Sequence, residues 1–302
     1  MDNSLFDVII VGGGPAGLSG ALVLGRSRRR VLVCDAGRPR NAASHGLHNY
    51  LTRDGIDPAE FLRLGREELQ SYETVKLLAI EVSDARRAEN GFEVTFSNGE
   101  RAAARKLLIA TGVVDDLPKL EGLEPLYGRS VFHCPYCDGW EMRDKPLAVY
   151  GQGENGLGLA LELILWSRDL VLCSDGPASL SDDQRQRLAR HNIELREERI
   201  LRLEGKDGAL EQIVFADGKA IERRGIFFST GQQQASGLTK KLGCEFTEDG
   251  CVATGEYEAT NVPGLYVAGD ASRLVQFVIV ATAEGAQAAV AINKELMKED
   301  LD

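Results

Sequence analysis

The stretch FDVIIVGGGPAGLSGALVLGRSRRRVLVCDAG, residues 6–37, decides the fold class of this chain. It predicts a buried strand, a glycine-rich turn, an amphipathic helix and a second buried strand. Gly12, Gly14 and Gly17 have the spacing G-x-G-x-x-G, which allows a tight turn, the close approach of a pyrophosphate and close helix–strand packing. Asp35 follows the second strand, where a carboxylate accepts hydrogen bonds from a ribose. The stretch therefore predicts a βαβ unit that binds a dinucleotide.

A second stretch, LAVYGQGENGLGLALELILWSRDLVLCSDG at residues 147–176, has the same organisation. Gly12 and Cys34 are separated by as many residues as Gly151 and Cys173. Because each βαβ unit contributes parallel strands with a helix packed against them, two copies predict an α/β protein with two dinucleotide-binding units.

Three further apolar segments end in short sequences that suit the carboxyl ends of strands in such a sheet. They are KLLIATGV at 106–113, GIFFSTGQ at 225–232 and VPGLYVAGDA at 262–271. Each one alone is equally consistent with a strand followed by an ordinary turn. Their order supports the stronger interpretation, because one follows the first unit, one follows the second unit and the third lies near the end of the chain.

These motifs together resemble the low-molecular-weight thioredoxin reductase family of FAD flavoproteins, over nearly the whole chain. The motifs are GGGPAG (12–17), IATG (109–112), CPYCDG (134–139), GQGENG (151–156), STG (229–231) and VAGDA (267–271). The resemblance implies an α/β fold of two Rossmann-like, three-layer ββα dinucleotide-binding domains, the second inserted in the first. The implied FAD-binding domain is residues 1–114 with 235–302, and the implied insert, NAD(P)-binding-like and carrying the redox cysteines, is residues 115–234.

The resemblance also implies which residues bind FAD. The glycine loop would hold the pyrophosphate, Asp35 the adenosine ribose and Asp270 the flavin side chain, while Asn49 would lie in a loop that contacts the flavin. Gln276 is expected near the pyrimidine end of the flavin, at the start of the last helix. The implied FAD-binding residues are Gly12, Gly14, Pro15, Ala16, Gly17, Asp35, Asn49, Thr111, Gly112, Gly269, Asp270, Gln276 and Phe277.

Cys134 and Cys137 lie in the stretch FHCPYCDGW, residues 132–140, and several interpretations compete. A structural zinc site needs four ligands, usually from two such pairs, and the sequence has no second C-x-x-C. A glutaredoxin-like pair would open a small thioredoxin-like domain, whereas this pair precedes a Rossmann strand deep in the chain. An inert pair stays open, although C-x-x-C spacing is typical of a redox couple with a low-pKa thiolate.

The family resemblance favours the redox interpretation. It implies that Cys137 faces the flavin, that Cys134 exchanges with the disulfide of a partner, and that Asp138 protonates the departing thiolate. The expected partner is a thioredoxin-like protein or a small dithiol or disulfide, and the chain is expected to form a homodimer.

The second glycine-rich unit departs from the family pattern. NADPH-dependent members carry arginines at the end of its second strand, which bind the 2′-phosphate, whereas in register this chain has Ser174, Asp175 and Gly176. An aspartate about 4 Å from a phosphate costs roughly 4 kcal/mol at a surface-like dielectric. Glu154 is also expected inside the loop that should face a pyrophosphate. NADPH use is therefore not expected: either Asp175 binds the ribose of NADH, or the unit is a relic without nicotinamide, which we prefer.

The sequence therefore predicts an FAD-dependent thiol–disulfide oxidoreductase that does not use NADPH. The alternatives are a dithiol oxidase that passes electrons to oxygen, an NADH-dependent disulfide reductase, and a non-catalytic flavin-binding sensor. A ferredoxin-type protein is a further candidate for the electron donor. The sequence leaves the donor, the partner's identity and the direction of electron flow open.

Composition argues against several other classes of protein. The 302 residues carry a net charge of −11, whereas nucleic-acid binders usually have a basic surplus. No apolar run reaches the length of a membrane span, and the start MDNSLFDVIIVGGG has no basic n-region, so we expect neither membrane binding nor a secretory signal. A cytoplasmic location and no metal are expected. Cys34 and Cys173 are expected to be small buried hydrophobes.

Overall fold

A computed structural model describes residues 5–302. Residues 1–4, which precede the predicted first strand, lie outside the described residues. The α-helices are α1 (Pro15–Arg26), α2 (Pro58–Leu69), α3 (Pro135–Asp138), α4 (Gly153–Glu162), α5 (Asp182–Arg190), α6 (Leu238–Lys241) and α7 (Val278–Leu301). The strands are β1 (Phe6–Val11), β2 (Val31–Cys34), β3 (Val75–Leu78), β4 (Val82–Ala88), β5 (Gly91–Phe96), β6 (Arg101–Ile109), β7 (Val113–Asp115), β8 (Val131–Phe132), β9 (Leu147–Tyr150), β10 (Leu170–Cys173), β11 (Glu194–Arg196), β12 (Ile200–Lys206), β13 (Ala209–Phe215), β14 (Ala220–Glu222), β15 (Gly225–Phe228), β16 (Gln232–Gln234) and β17 (Leu265–Val267).

The chain divides into two units, each built around one of the two glycine-rich repeats. The first unit consists of residues 1–42, 49–114 and 233–302, and the second of residues 43–48 and 115–232. Both units contain parallel sheets with helices packed on them. The predicted fold class, α/β with two Rossmann-like units and the second inserted in the first, is confirmed.

The central sheet of the first unit has the strand order β3–β2–β1–β6–β5–β4, and β17 also pairs with β6. Strands β3, β2, β1, β6 and β17 are parallel, whereas β4 and β5 are antiparallel. Because successive side chains of a strand point to opposite faces, Ile9 and Val11 enter one hydrophobic core while Val8 and Ile10 enter the other. Burial on both faces explains why β1 is a continuous apolar run.

Helices α1 and α7 pack closely on one face of this sheet. A Cβ atom at Gly285 of α7 would lie 1.9 Å from the carbonyl oxygen of Ala16. A Cβ atom at Gly20 of α1 would lie 3.2 Å from the carbonyl oxygen of Gly285. The two backbones can therefore touch only because Gly285 has no side chain, and this contact places α7 against the first turn of α1.

The second unit repeats the plan in a smaller form. Its parallel sheet has the order β11–β10–β9–β15–β8, and an antiparallel sheet of β12, β13 and β14 accompanies it. Leu147 and Val149 enter one core and Ala148 enters the other, as in the first unit. Strand β8 ends two residues before Cys134, so the sheet carries the start of the C-x-x-C segment.

Strands β7 and β16 pair as a two-stranded sheet where the chain passes between the units. Across residues 5–302, every helix is too short or too polar to cross a membrane.

Two glycine-to-alanine changes in helices should shift stability in opposite directions. Gly285→Ala forces a methyl group onto the Ala16 carbonyl, and such overpacking costs about 1–3 kcal/mol in free energy of unfolding. Gly158→Ala in α4 meets nothing within 4 Å, so it should gain roughly 0.5–1 kcal/mol from helix propensity. Thermal unfolding of both variants measures this. Equal midpoints for the two variants would contradict the tight α1–α7 contact.

Candidate active site and glycine-rich loops

The three glycines of the first loop serve two different purposes. A Cβ atom at Gly17 would lie 1.9 Å from the carbonyl oxygen of Gly12, and one at Gly12, whose φ is +113°, would lie 2.2 Å from that of Ala110. The fold itself therefore excludes side chains at Gly12 and Gly17. At Gly14 a Cβ atom would meet nothing within 4 Å, so the fold leaves open space there. That space lies at the start of α1, where a dinucleotide pyrophosphate binds in this motif.

The start of α1 is suited to an anion. Gly14 is the N-cap of the helix and Pro15 its first residue, and no side chain caps the helix. The first N–H groups of a helix lack partners within the helix and carry its positive dipole end. Ala16 and Gly17 follow in that first turn. The residues present therefore fit the pyrophosphate of the FAD expected from the sequence.

Asp35 is held at the end of β2, close to the glycine loop. Its carboxylate accepts a hydrogen bond from the Gly37 N–H at 2.9 Å and one from Nη2 of Arg66 at 2.8 Å. A Cβ atom at Gly13 would lie 2.5 Å from the carboxylate carbon of Asp35, so the acid packs directly on the loop. This is the position in which a ribose acid is needed. No sequence signal pointed to Arg66, which lies on α2, because it is 31 residues from Asp35.

The structure also brings Asp270 and Gln276 together. Nη1 of Arg40 donates to the Asp270 carboxylate at 2.9 Å and to Oε1 of Gln276 at 2.6 Å. Nε2 of Gln276 donates to the Asp270 carbonyl at 3.3 Å. Gly269, with a φ of +85°, precedes this group, and Phe277 is the N-cap of α7. Arg40 was missed in the sequence because its partners lie 230 and 236 residues away.

The other predicted FAD-binding residues lie in turns of the first unit. Asn49 has a left-handed backbone with a φ of +63°, and its N–H donates to the Asp54 carboxylate at 2.8 Å. Thr111 and Gly112 follow the end of β6, and the Gly112 carbonyl accepts from the Ala235 N–H at 3.1 Å. Direct contact of these residues with a flavin stays a prediction.

In the second unit, Cys134 and Cys137 form a disulfide at the start of α3, with their Cα atoms 5.3 Å apart. Sγ of Cys134 also accepts a hydrogen bond from the N–H of Cys137 at 3.1 Å. A donor aimed at this sulfur would stabilise a thiolate on Cys134 after reduction. Both cysteines are half-buried. The pair therefore has the connectivity of a redox couple with one sulfur prepared to carry charge.

Asp138 follows the disulfide directly and is half-buried. Burial raises its pKa to about 7, while the charge of nearby His48 opposes the rise and Glu141 adds to it. His48 Nε2 lies 3.7 Å from Oε1 of Glu141. A carboxyl group with this pKa exchanges protons at neutral pH, as a general acid beside a thiolate must. The sequence analysis missed His48 because its approach to this segment depends on the fold.

The second glycine-rich loop is closed by the protein's own backbone. The N–H of Gly153 donates to the carbonyl of Ala178 at 2.9 Å, and Nε2 of Gln152 donates to the carbonyl of Ser174 at 2.8 Å. Ala178 is fully buried, and its N–H donates to Glu197 at 2.9 Å. Arg185 binds both oxygens of Glu197, at 2.8 and 3.0 Å. The segment 174–180, called here the closing segment, is thus fastened across the loop.

Asp175, which follows the end of β10, also has hydrogen-bond partners within the protein. Oδ1 of Asp175 accepts from the N–H of Ile200 at 2.7 Å, and Oδ2 accepts from the hydroxyl of Tyr150 at 3.3 Å. The buried hydroxyl of Ser174 donates to the Gly176 carbonyl at 2.6 Å. Both Asp175 oxygens therefore already serve the fold. That this unit binds no nicotinamide dinucleotide stays a prediction.

One expectation for this loop needs correction. Glu154 was expected inside the loop, but α4 begins at Gly153, so Glu154 belongs to the first turn of the helix. A negative charge in the first turn interacts favourably with the helix dipole, so Glu154 stabilises the start of α4.

The prediction that Cys34 and Cys173 are buried is confirmed, and Cys244 and Cys251 are buried as well. Cys34, Cys173, Cys244 and Cys251 are all buried and free of disulfides. Burial raises the pKa of Cys34 and of Cys173 to about 12, so both stay protonated and inert at neutral pH.

Comparisons with known proteins agree on one family. The family profile described as pyridine nucleotide-disulphide oxidoreductase matches residues 6–285. A protein named "Probable thioredoxin reductase" from Arthroderma benhamiae is 30% identical, over 97% of this chain and 81% of its own length. The crystal structure of HlmI is 36% identical with a TM-score of 0.94, covering 98% of this chain and 94% of that one. An oxidoreductase from Agrobacterium tumefaciens is 33% identical with a TM-score of 0.90, covering 97% and 99%.

Gly14→Ala and Gly17→Ala should separate ligand binding from folding. Gly14→Ala places a methyl group in open space, so the protein should fold normally but bind FAD about tenfold more weakly or worse, since small steric misfits cost about 1–3 kcal/mol. Gly17→Ala should instead reduce the soluble folded yield, because its methyl group meets the Gly12 carbonyl. Flavin content and unfolding midpoints measure the two effects. Full flavin content in Gly14→Ala would exclude the loop as the pyrophosphate site.

Proposed function

Because this chain belongs to the pyridine nucleotide-disulphide oxidoreductase family and is a thioredoxin reductase-like, FAD-binding disulfide oxidoreductase, we propose how it uses that chemistry. It passes electrons between FAD, the Cys134–Cys137 disulfide and a thioredoxin-like protein or a small dithiol or disulfide, and it does so without NADPH. The observation that carries this proposal is the disulfide followed directly by Asp138, a carboxyl group that exchanges protons near pH 7.

FAD when bound supplies a two-electron redox centre, and the first unit holds it. The start of α1 binds the pyrophosphate at Gly14, and Asp35, steadied by Arg66, binds the ribose. Asp270 and Gln276, joined through Arg40, bind the flavin side chain and the pyrimidine end. These assignments combine the family resemblance with the open space at Gly14 and the clustering of the other residues.

The cysteine pair exchanges electrons with the partner through a mixed disulfide. In the reductive direction, the Cys134 thiolate attacks one sulfur of the partner disulfide, and the other partner sulfur leaves and takes a proton from Asp138. The Cys137 thiolate then attacks Sγ of Cys134, which restores the Cys134–Cys137 bond and releases the second partner thiol. The cysteine pair loses two electrons and the partner gains two. The oxidative direction reverses each step.

The surface beside the disulfide suits a protein partner. Tyr136 and Trp140 are 55% and 65% exposed, and they bracket Cys137 in the sequence. Exposed aromatic side chains of this size are frequent anchors in protein interfaces. Arg143 lies over the Trp140 ring at 4.2 Å and supplies a cation at the same place. A small acidic redox protein fits this combination.

The closed second loop supports a donor other than a nicotinamide. A pyrophosphate bound at the Gly153 N–H would have to displace the Ala178 carbonyl. The same contact argues against the NADH alternative. The reducing electrons then come from a dithiol or from a ferredoxin-type protein.

A dithiol oxidase is the second candidate, and the closed loop favours it too. If no nicotinamide binds, dithiols become the available two-electron reductant and oxygen a possible acceptor. We further infer a homodimer in the cytoplasm, where the four buried free thiols would stay reduced.

An anaerobic titration of the yellow protein tests the donor. NADPH and NADH should leave the flavin absorbance unchanged, and a dithiol should bleach it. Cys137→Ser should abolish bleaching by the dithiol and is the matched control. Bleaching by NADH would instead make Asp175 a ribose ligand, and bleaching by NADPH would overturn the role given to the closing segment.

The same dithiol in air separates the two candidate functions. Rapid peroxide formation without reduction or oxidation of thioredoxin would favour the oxidase. Electron exchange with thioredoxin and slow peroxide formation would favour the thioredoxin-linked enzyme.

Asp138→Asn should remove one step of the pH profile. Because burial raises the pKa of Asp138 to about 7, the acid is mostly protonated below pH 7, and its ability to protonate a leaving thiolate declines as pH rises through that value. Stopped-flow release of the partner thiol should show this step in the wild type. Asp138→Asn should lose the step and slow release by about 10²-fold or more, the usual contribution of a general acid. A retained step in the variant would assign it to another group.

A further inference from the structure

Two buried carboxylates and one partly exposed guanidinium form a cluster in the first unit, outside the residues assigned to FAD. Nε of Arg273 lies 2.5 Å from Oε1 of Glu284, and Nη2 of Arg273 lies 3.2 Å from Oε1 of Glu258. The side chains of Glu258 and Glu284 are only 4% and 5% exposed. We call this group the Glu258–Arg273–Glu284 cluster.

The cluster holds the turn that carries Asp270. Oε2 of Glu284 accepts a hydrogen bond from the N–H of Gly269 at 2.8 Å, and Gly269 directly precedes Asp270. The carbonyl of Arg273 accepts from Nε2 of Gln276 at 3.0 Å. The Gly269 end of the segment 269–276 is thus fastened to the Glu284 carboxylate, and its Gln276 end is held by the backbone of Arg273 within the same segment.

The carboxylate that grips the turn cannot easily move. Glu284 precedes Gly285, the residue whose backbone contacts the Ala16 carbonyl at the start of α1. Helix α7 therefore places Glu284 at a fixed distance from the glycine loop. Through Gly269, the same helix fixes the distance between that loop and Asp270.

The cluster has more acid than base. Two buried carboxylates share one guanidinium, and Oε2 of Glu258 is buried without a hydrogen-bond partner. Burial raises the pKa of Glu258 to about 7, the Glu284 charge adds to this rise, and Arg273 opposes it. Burial also raises the pKa of Glu284, with the Gly269 N–H and Arg273 opposing and Asp270 adding. A proton on Glu258 removes the excess negative charge of the cluster, so that the Arg273 guanidinium pairs with the charged Glu284 alone.

We propose that Arg273 and Glu284 are positioning residues for the flavin, and that a proton on Glu258 keeps their grip on the Gly269–Asp270 turn. When Glu258 loses its proton, it competes for Arg273 and repels Glu284, so the turn loosens. FAD affinity therefore falls as the pH rises through neutrality. The inference rests on the proposed contact between Asp270 and the flavin.

The experiment measures FAD binding to apoprotein prepared from the full-length protein, by quenching of flavin fluorescence at about pH 6 and about pH 8.5, on either side of the raised pKa of Glu258. Wild type should bind FAD about tenfold or more weakly at the higher pH, the scale expected when a charge-assisted hydrogen bond is lost. Glu258→Gln, which mimics the protonated acid, should bind equally at both. Glu284→Gln should bind about tenfold more weakly at both. Glu256→Gln, an exposed neighbour with the same change of charge, should follow wild type.

Equal wild-type affinities at the two pH values, or wild-type affinity in Glu284→Gln, would overturn the inference. If Glu284→Gln does not fold, the comparison of Glu258→Gln with wild type decides alone. Asp270→Asn tests separately whether Asp270 contacts the flavin. Wild-type affinity in that variant would remove Asp270 from the flavin site. The comparison of wild type with Glu258→Gln at the two pH values would still report on the turn.

Discussion

The close approach of strand and helix backbones at the glycine-rich turns is the constraint on which both units depend. In the first unit a Cβ atom at Gly17 would lie 1.9 Å from the Gly12 carbonyl, and in the second a Cβ atom at Gly156 would lie 2.7 Å from that of Gly151. This contact sets how the helix leaves the strand and therefore how it returns to the sheet. Its loss would misplace every later element of the unit, so both copies retain it whatever they bind.

The middle glycine of each loop is the one that a bound pyrophosphate would approach, and its backbone N–H has different surroundings in the two copies. Both Gly14 and Gly153 face open space at a helix start without a side-chain cap, but the N–H of Gly153 is bound to the Ala178 carbonyl. The acids at the two strand ends do not differ in this way, because both oxygens of each already have partners. Those of Asp35 accept from Arg66 and the Gly37 N–H, and those of Asp175 accept from Tyr150 and the Ile200 N–H. The G-x-G-x-x-G pattern therefore accounts for the helix–strand packing in both units, whether or not each unit binds a nucleotide.

The parts of the structure that could be predicted from the sequence are those that depend on neighbouring residues. Strand runs, the turn glycines and the C-x-x-C spacing are local patterns, and they were sufficient for the fold class, the family and FAD. The closing segment, the Arg40 contact with Asp270 and the cluster around Arg273 join residues far apart in the chain. No local pattern distinguishes a surface arginine from one that reaches across the fold to a particular carboxylate, so these partners needed the structure.

The second unit also has a purpose apart from any nucleotide, because the disulfide needs a rigid support. Phe132, at the end of β8, packs against Phe227 with ring centroids 5.2 Å apart, and Cys134 follows two residues later. Beyond the pair, the Tyr136 ring meets the Trp166 ring edge-on at 5.4 Å, and a Cβ atom at Gly139 would strike Trp166 at 2.8 Å. The parallel sheet thus fixes the segment before the cysteines, and Trp166, which lies between α4 and β10, fixes the segment after them. This support of the disulfide does not depend on whether the second unit binds a nucleotide.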